Sequence, residues 1–309
     1  MARNGSTALA SPAFRWVAYS AVAWTYLLII MGAIVRASGS GLGCPDWPLC
    51  YGQVVPPGQI PSIIEYSHRF LGLIASGFIL ATCILWARTH NWSPRVVAGG
   101  ATVGVLLLAQ IILGAVTVKL ELPPYVVLVH LGMAEILLGM LIFVAAHASP
   151  APRLVGAAPN RRFRNLAVGG MAAVYLLVLT GANVRANEAS WACAGFPLCS
   201  GQFAPFGIDR LMDIQLLHRF FAYLVAAHLL VVVARAWRRE RGTPALRTAA
   251  GFVLAALLAQ IGIGAGMVSM GVPMVAQVLH VAGASAVWAT IVGLTAIVWR
   301  ARQSAGEAG

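Results

Sequence analysis

Eight uninterrupted apolar runs dominate this chain, each about as long as a helix that crosses a bilayer. Hydrophobic residues make up 60% of the 309 residues and charged residues 10%, which is too apolar for a soluble protein of this length. Such runs satisfy their backbone hydrogen bonds as helices, whereas a membrane β-barrel would need shorter segments of alternating character. The sequence therefore predicts an all-α, polytopic membrane protein with eight transmembrane helices near residues 15–36, 66–87, 95–118, 125–147, 165–185, 215–237, 248–268 and 276–299.

Basic residues mark one side of the predicted membrane. The chain has 21 Lys and Arg and a net charge of +12. Most of them fall in the two tails and in alternate connections, so the positive-inside rule predicts a multi-pass inner (cell) membrane protein whose N and C termini are cytoplasmic. The first run is full length and is expected to be retained rather than cleaved as a signal peptide. The charge is a topology signal, and no nucleic-acid partner is expected. The basic residues on the predicted cytoplasmic side are Arg3, Arg15, Arg88, Arg95, Arg153, Arg161, Arg162, Arg164, Arg235, Arg238, Arg239, Arg241, Arg247, Arg300 and Arg302.

The second half of the chain repeats the first at an offset of 149 or 150 residues. This repeat predicts two pseudo-symmetric four-helix bundles, residues 1–148 and 165–309, joined by a cytoplasmic linker at residues 149–164. The corresponding pairs are Arg36 and Arg185, Cys44 and Cys193, Cys50 and Cys199, His68 and His218, Arg69 and Arg219, Gln110 and Gln260, and His130 and His280.

Each long outer loop carries two cysteines, and the predicted topology places them outside the cytoplasm, where disulfides persist. We expect Cys44 to pair with Cys50 and Cys193 with Cys199. A bond across so short a loop would brace it over the mouth of its bundle. The alternative is a redox-active pair that exchanges electrons with the site. The remaining cysteine, Cys83, has no counterpart and is expected to be a buried apolar residue.

Four histidines are candidate metal ligands. His68, His130, His218 and His280 each lie within roughly the first two turns of a predicted helix that runs inward from the outer side. Ionisable groups in a membrane are costly and usually functional. Because only two converge in each half, two axial imidazoles on a haem iron fit better than a four-ligand zinc site. The other three histidines, His90, His147 and His228, are interpreted as structural.

Four arginines lie near the level of these histidines. Arg69 and Arg219 directly follow candidate ligands, while Arg36 and Arg185 end the first helix of each half. Their guanidinium groups could bind haem propionates. They could equally extend toward headgroups or cap helix carbonyls.

The two halves differ in their carboxylates. Glu65 lies three residues before His68, whereas the second half has Gln215 before His218, and Glu135 in the first half corresponds to Ser285. Positions i and i+3 share a helix face, so Glu65 is expected beside a bound haem, where it could accept a proton or stabilise positive charge. A helix N-terminal acid favoured by the macrodipole is the simpler alternative. Glu135 could transfer protons or form a structural pair.

This combination of residues resembles the haem A synthase family from Arg36 to about Trp299. The similarity is carried by Glu65-x-x-His68-Arg69-Phe70, His130, His218-Arg219-Phe220, His280 and both cysteine pairs. It implies an oxidoreductase that converts the C8 methyl group of haem O into a formyl group, giving haem A for terminal oxidases. It also implies that His68 and His130 receive the substrate haem, that His218 and His280 hold a haem b cofactor, and that Glu65 is the catalytic carboxylate.

Partners and rival functions follow from the same reasoning. Besides haem O, we expect an electron acceptor and the lipid bilayer, with haem O synthase, terminal oxidase assembly factors and a second copy of the chain as candidate partners. The main alternative is a dihaem b-type cytochrome that exchanges electrons with quinone. It accounts for four histidines but not for Glu65 opposite Gln215. A membrane thiol oxidase that works through the cysteine pairs is a further alternative.

Overall fold

Within residues 11–307, which the computed structural model of the chain describes, eight long α-helices account for most of the fold. Residues 306–307 are described by their backbone alone, and Arg3 lies outside the described range. All eight helices are long and apolar enough to span a membrane, with mean hydropathies of 1.7 to 2.3. The predicted all-α fold with eight spanning helices is confirmed. The helices are α1 (Pro12–Ala37), α2 (Ile60–Thr89), α3 (Pro94–Lys119), α4 (Pro124–Ala148), α5 (Arg161–Ala186), α6 (Arg210–Arg238), α7 (Pro244–Ser269) and α8 (Met274–Glu307).

The helices begin earlier than their apolar runs because polar residues and prolines start them. Helix α2 begins at Ile60 rather than at residue 66, with a proline in its first turn, where the missing N–H costs nothing. Helix α6 begins at Arg210, and the Asp209 carboxylate caps it by accepting from two backbone N–H groups. His68 and His218 consequently lie in the third helical turn, slightly deeper than the two turns expected from the sequence.

Each set of four consecutive helices forms a bundle in which every helix contacts two neighbours, so the four helices close into a ring. Helix α1 contacts α2 and α4, and α3 contacts the same two, so α2 and α4 lie diagonally across the ring. Helices α5 to α8 are arranged in the same way, with α6 and α8 on the diagonal. The two rings meet through α4 with α8, α1 with α8, and α4 with α5. An approximate twofold axis between α4 and α8 would relate these contacts.

Repeat-equivalent residues meet where the two rings join. Ser285 Oγ on α8 donates a 2.5 Å hydrogen bond to the carboxylate of Glu135 on α4, its counterpart 150 residues earlier. Trp288 Nε1 donates to the Glu135 carbonyl at 2.7 Å, and its ring packs on Gly139, where an added Cβ would approach to 2.9 Å. Tyr26 on α1 donates to the Ala282 carbonyl at 2.9 Å. Glu135 on α4 therefore faces α8, in the second set of four helices.

The polar segment between α4 and α5 contacts the α6–α7 connection and the end of α8. Val155 N donates to the Gly242 carbonyl at 2.8 Å, which ties this stretch to the α6–α7 connection. Arg300, near the end of α8, donates to the carbonyl oxygens of Ala146 and Pro150. These contacts hold both sets of helices together at the end opposite the cysteine loops.

Candidate haem sites

The four candidate ligands occupy matching positions on diagonal helices. His68 is on α2 and His130 on α4, while His218 is on α6 and His280 on α8. Each of the four residues is partly exposed as a whole, while Nδ1 of His68 and of His130 is buried. The imidazoles of His68 and His130 are near enough for their charges to interact, as are those of His218 and His280. The structure therefore brings the histidines together in the two pairs that the sequence predicts.

A glycine on the neighbouring helix faces each of these imidazoles. A Cβ added at Gly32 or Gly114 would lie 3.2 Å from Cε1 of His68 or His130. The corresponding distances are 3.0 Å from Gly181 to His218 and 3.1 Å from Gly264 to His280. A larger residue would crowd the ring. The sequence reasoning missed these four glycines, although they recur at the repeat offset.

A glutamine lies against the second ligand of each pair. Gln110 on α3 donates through Nε2 to the His130 carbonyl at 3.1 Å, and Gln260 on α7 donates to the His280 carbonyl at the same distance. Both amides also lie 3.2 to 3.4 Å from nitrogens of the adjacent imidazole. The bond to the carbonyl is common to the two halves, whereas only Gln260 also lies near Nδ1 of its histidine; Nδ1 of His130 has no partner among the described residues.

The first ligand of each pair has different surroundings. Thr180 Oγ1 on α5 lies 2.9 Å from Nδ1 of His218. The equivalent position on α1 is Met31, and Nδ1 of His68 is buried without a hydrogen-bond partner in residues 11–307. This difference is not apparent from the histidine pattern.

Glu65 is buried at the mouth of the first site and anchors the outer loop. Only 3% of the residue is exposed. Its Oε2 accepts from the backbone N–H of Cys44 at 2.8 Å, and its Oε1 pairs with Arg69 at 2.5 Å. The carboxylate therefore has a fixed orientation, with a backbone donor on one oxygen and a guanidinium on the other. This contact to the loop was not expected from the sequence.

Arg69 binds the outer loop rather than projecting freely toward a haem. Its Nη1 donates to the carbonyl oxygens of Asp46 and Leu49, and its Nη2 donates to that of Cys44 as well as to Glu65. All four terminal N–H groups are thus used. A propionate contact of the kind considered for Arg69 would have to displace these bonds.

Arg219 has the same place in the second half, but within the described side chains it forms no ion pair with a carboxylate. It donates to the carbonyl oxygens of Cys193 at 2.6 Å, Gly195 at 2.9 Å and Leu198 at 3.1 Å. Gln215, only 5% exposed, donates instead to the Ser190 carbonyl. The second site thus keeps the arginine and the loop but lacks the carboxylate.

Arg36 and Arg185 lie at matching helix ends. They are in the last turns of α1 and α5, where the charge of each acts on the other and the carboxylate of Glu188 offsets part of the charge of Arg185. Unlike Arg69 and Arg219, neither is shown bound to an outer-loop carbonyl, so both stay candidates for haem propionates.

Both outer loops close with a disulfide and a tight turn. Cys44 is bonded to Cys50 and Cys193 to Cys199, as expected. Each second cysteine pairs through its backbone with a glutamine three residues later. The two residues between them have positive φ: 55° and 71° in the first loop and 50° and 81° in the second. The second of these residues is glycine in both loops, which suits such a turn.

Asp46 is an additional anchor that only the first loop has. Its carboxylate accepts from the backbone N–H groups of Gly52 at 2.7 Å and Tyr51 at 2.6 Å. These bonds, with a smaller contribution from the Arg69 charge, lower the pKa of the exposed Asp46 carboxyl. The second loop has Gly195 at this position, and there the backbone N–H of Ser200, the counterpart of Tyr51, donates to the Ala194 carbonyl at 2.7 Å instead of to a carboxylate.

The remaining histidines and the free cysteine have local roles. His90 and His147 hydrogen-bond through Nδ1 to backbone carbonyls one turn earlier, and His228 Nε2 bonds to the Leu166 carbonyl. Cys83 is half-buried on α2 and unbonded. These contacts support the structural interpretation of the histidines.

The observed residues fit haem better than a clustered metal ion. In residues 11–307 no three His, Cys, Asp or Glu side chains come together as a zinc site would need. Two imidazoles across a bundle, each facing a glycine, match the axial ligands of a flat macrocycle. The buried Nδ1 atoms of His68 and His130 have no partner among the described residues.

Comparison with known proteins shows the family of this chain. The family model described as cytochrome oxidase assembly protein matches residues 15–63 and 57–292. A relative from Bacillus cereus strain G9842, named haem A synthase, is 30% identical over 96% of both chains. The chain belongs to this family. Haem A synthases of Shouchella clausii and Shewanella oneidensis are 30% and 27% identical to it, over 78% and 94% of this chain and 82% and 98% of their own lengths.

The match to the haem A synthase family covers all the candidate site residues. The chain is a multi-pass membrane enzyme, an oxidoreductase of haem. The matched region includes the four histidines, Glu65 and both disulfide loops. The features that distinguish the two halves therefore lie within the part shared with the family.

Proposed function

We propose that this chain oxidises the C8 methyl group of haem O to a formyl group and so produces haem A. Relatives that match most of the chain are named haem A synthase. The observation that carries the proposal is the asymmetry between two otherwise matching sites: Glu65 is a buried carboxylate beside the first, where the second has Gln215. Two equivalent electron-transfer haems would not require this difference.

The two halves have different proposed roles, substrate binding in the first and cofactor binding in the second. Residues 1–148 would bind the substrate haem O through His68 and His130, and residues 165–309 would hold haem b through His218 and His280, with residues 149–164 as the linker. The bound haem b would supply electron transfer. The four glycine contacts support imidazole ligation in both halves, since they leave room beside each ring.

Glu65 is the proposed catalytic carboxylate. It lies one turn before His68 on α2, so both residues point from the same helix face. The Cys44 N–H and the Arg69 guanidinium fix its orientation, which allows it to act without reorganising. A carboxylate placed there can accept a proton or stabilise developing positive charge, whereas the neutral amide of Gln215 does neither well.

We also propose an orientation in the inner (cell) membrane, with both termini cytoplasmic and the cysteine loops outside. The basic residues in the tails and alternate connections favour it. The two disulfides support it as well, because both lie at the membrane face that this orientation exposes to an oxidising compartment.

Replacing Glu65 with Gln tests the proposed activity. We expect haem A production to fall by about 100-fold or more, the usual scale for removing an acid–base group. Haem b content should be retained because the second site is untouched. Haems are extracted from the purified protein, expressed in cells that make haem O, and separated by chromatography.

Gln215→Glu is the matched control, since it creates the same Glu and Arg spacing in the second half. It should leave haem A production within about twofold of the parent, an expectation that follows from the proposed division of labour. Undiminished haem A in Glu65→Gln would refute the role of Glu65. Protein that holds haem b but never haem O or haem A would favour the dihaem cytochrome instead.

A further inference from the structure

We propose that Thr180 is a positioning residue that makes the second site retain its haem, and that Met31 at the equivalent place makes the first site exchange its haem. This inference rests on the proposed function, in which one haem stays and the other enters and leaves. It concerns the ligand histidines His218 and His68, which otherwise have matching surroundings.

The Thr180 hydroxyl fixes the tautomer of His218. Oγ1 lies 2.8 Å from the Leu177 carbonyl, an acceptor, so its single hydrogen is donated there. Toward Nδ1 of His218, at 2.9 Å, the same oxygen can then only accept. Nδ1 must carry the hydrogen of the neutral imidazole, which leaves the Nε2 lone pair for iron.

Such a bond also holds the ring in place. A histidine ligand whose second nitrogen donates to an oxygen is oriented before the metal binds, and losing that partner usually weakens metal binding by 10- to 100-fold. Gly181 packs against the same imidazole, so a hydrogen bond and a close contact together restrain it.

The first site has the close contact without the hydrogen bond. Gly32 packs against His68 as Gly181 packs against His218. Met31 precedes Gly32 as Thr180 precedes Gly181, but its thioether is a weak acceptor. Nδ1 of His68 is buried and unpartnered within the described part of the chain. The Leu28 carbonyl on α1 lies near this imidazole but makes no hydrogen bond of ordinary geometry to Nδ1. The His68 ring is therefore held less firmly than that of His218, which suits a ligand that must release product.

The other contacts common to both sites do not distinguish His218 from His68. Gln110 and Gln260 support His130 and His280 from the opposite side in both halves. Arg69 and Arg219 both bind their loops. Gln260 also lies 3.2 Å from Nδ1 of His280, whereas Nδ1 of His130 has no partner among the described residues, but this difference concerns the second ligand of each pair. For the first ligands, His68 and His218, the difference in hydrogen bonding coincides with Met31 in place of Thr180.

The test measures haem release from purified protein reconstituted with haemin, using apomyoglobin as the scavenger. For Thr180→Val we expect release from the second site to become at least 10-fold faster. The reduction midpoint potential of that haem should rise, since its ligand loses a bond that increased electron donation. Thr180→Ser keeps the hydroxyl and should restore slow release. Met31→Thr should slow release from the first site.

Thr25→Val controls for the loss of a buried threonine hydroxyl in a spanning helix. Thr25 is buried on α1 with no hydrogen-bond partner among the described residues, and its counterpart on α5 is already Val174. It should leave both release rates unchanged. Parental release and potential in Thr180→Val would overturn the inference, as would equal acceleration by Thr180→Ser.

The outcomes also separate this inference from the proposed function. A parent chain that binds haem at both sites but makes no haem A would overturn only the proposed function. A parent that makes haem A, with Thr180→Val releasing haem b at the parental rate, would overturn only the role of Thr180. A parent that binds no haem would overturn both.

Discussion

At the scale of single residues, each histidine depends on a glycine that the sequence pattern did not reveal. Hydropathy and the internal repeat are sufficient to identify His68, His130, His218 and His280. They do not identify Gly264 or its three counterparts, because helix rotation and neighbour choice decide which glycine faces a ring. The bond between Thr180 and His218 escaped prediction for the same reason, since both residues lie on helices whose relative rotation is a tertiary property.

Gly264→Ala should weaken the second haem site without unfolding the protein. The new Cβ would lie 3.1 Å from Cε1 of His280, which is closer than ordinary packing, so the ring must move away from its ligating position. We expect at least a 10-fold loss of haem b affinity, on the scale seen when a ligand loses its support. Haem b per protein, from the absorbance of the reduced protein, measures it.

Gly262→Ala is the control for this change. It lies on the same helix, α7, two residues away, and its added Cβ meets no other atom within 4 Å. Both substitutions gain the same helix propensity. Equal haem b content in the two variants would show that the glycine contact has no role.

At the scale of elements, helices were predictable and loop contacts were not. The apolar runs locate all eight helices, but α2 and α6 begin six and five residues earlier. A proline lies in the first turn of α2 and Asp209 caps α6, and hydropathy ignores both signals. The pairing of Cys44 with Cys50 was also predictable from spacing. The carbonyl oxygens that bind Arg69 come from a folded loop without periodicity, so the sequence left its role open.

The first loop should lose order in acid, whereas the second should not. The pKa of Asp46 is lowered in the folded protein, so its stabilising bonds to Tyr51 and Gly52 are present above the ordinary carboxyl range and are lost as pH falls through the lowered pKa. Hydrogen exchange of residues 44–53, compared with 193–202 at pH 7 and at about pH 3, should show a selective loss of protection.

Asp46→Asn is the control for this acid sensitivity. The variant has no carboxyl to protonate at that position, so the N–H groups of Tyr51 and Gly52 should show the same protection at both pH values. The Cys44 N–H, which donates to Glu65, is left out of this comparison. An unchanged loss of protection in Asp46→Asn would mean that another group in the first loop is responsible.

At the scale of the whole molecule, two similar sets of helices meet along an asymmetric contact. Glu135 and Ser285 occupy equivalent places in the repeat and bond to each other. The sequence identified both as an unmatched pair and left open whether Glu135 transfers protons or forms a structural pair. The structure shows a pair with the Ser285 hydroxyl, which the sequence could not reveal because it does not show that α4 turns Glu135 toward α8. The contact joins the two sets of helices and leaves Oε2 of Glu135 without a partner among the described residues.

Ser285→Ala should loosen the junction between the two sets of helices. It removes the side-chain donor from a buried carboxylate, and such a loss costs about 1–3 kcal/mol. The thermal unfolding midpoint in detergent should fall. Ser76→Ala, which removes a hydroxyl bonded only within its own helix to the Gly72 carbonyl, should have a smaller effect. Equal shifts would show that the junction does not depend on this bond.

The central claim is that the two haem sites are unequal, with substrate bound by the first and cofactor by the second. The most direct test is chromatography of haems extracted from His68→Ala and His218→Ala proteins, expressed in cells that make haem O. His68→Ala should keep haem b and lose haem O and haem A, whereas His218→Ala should lose haem b and still hold haem O. Loss of the same haem from both variants would contradict the division of labour.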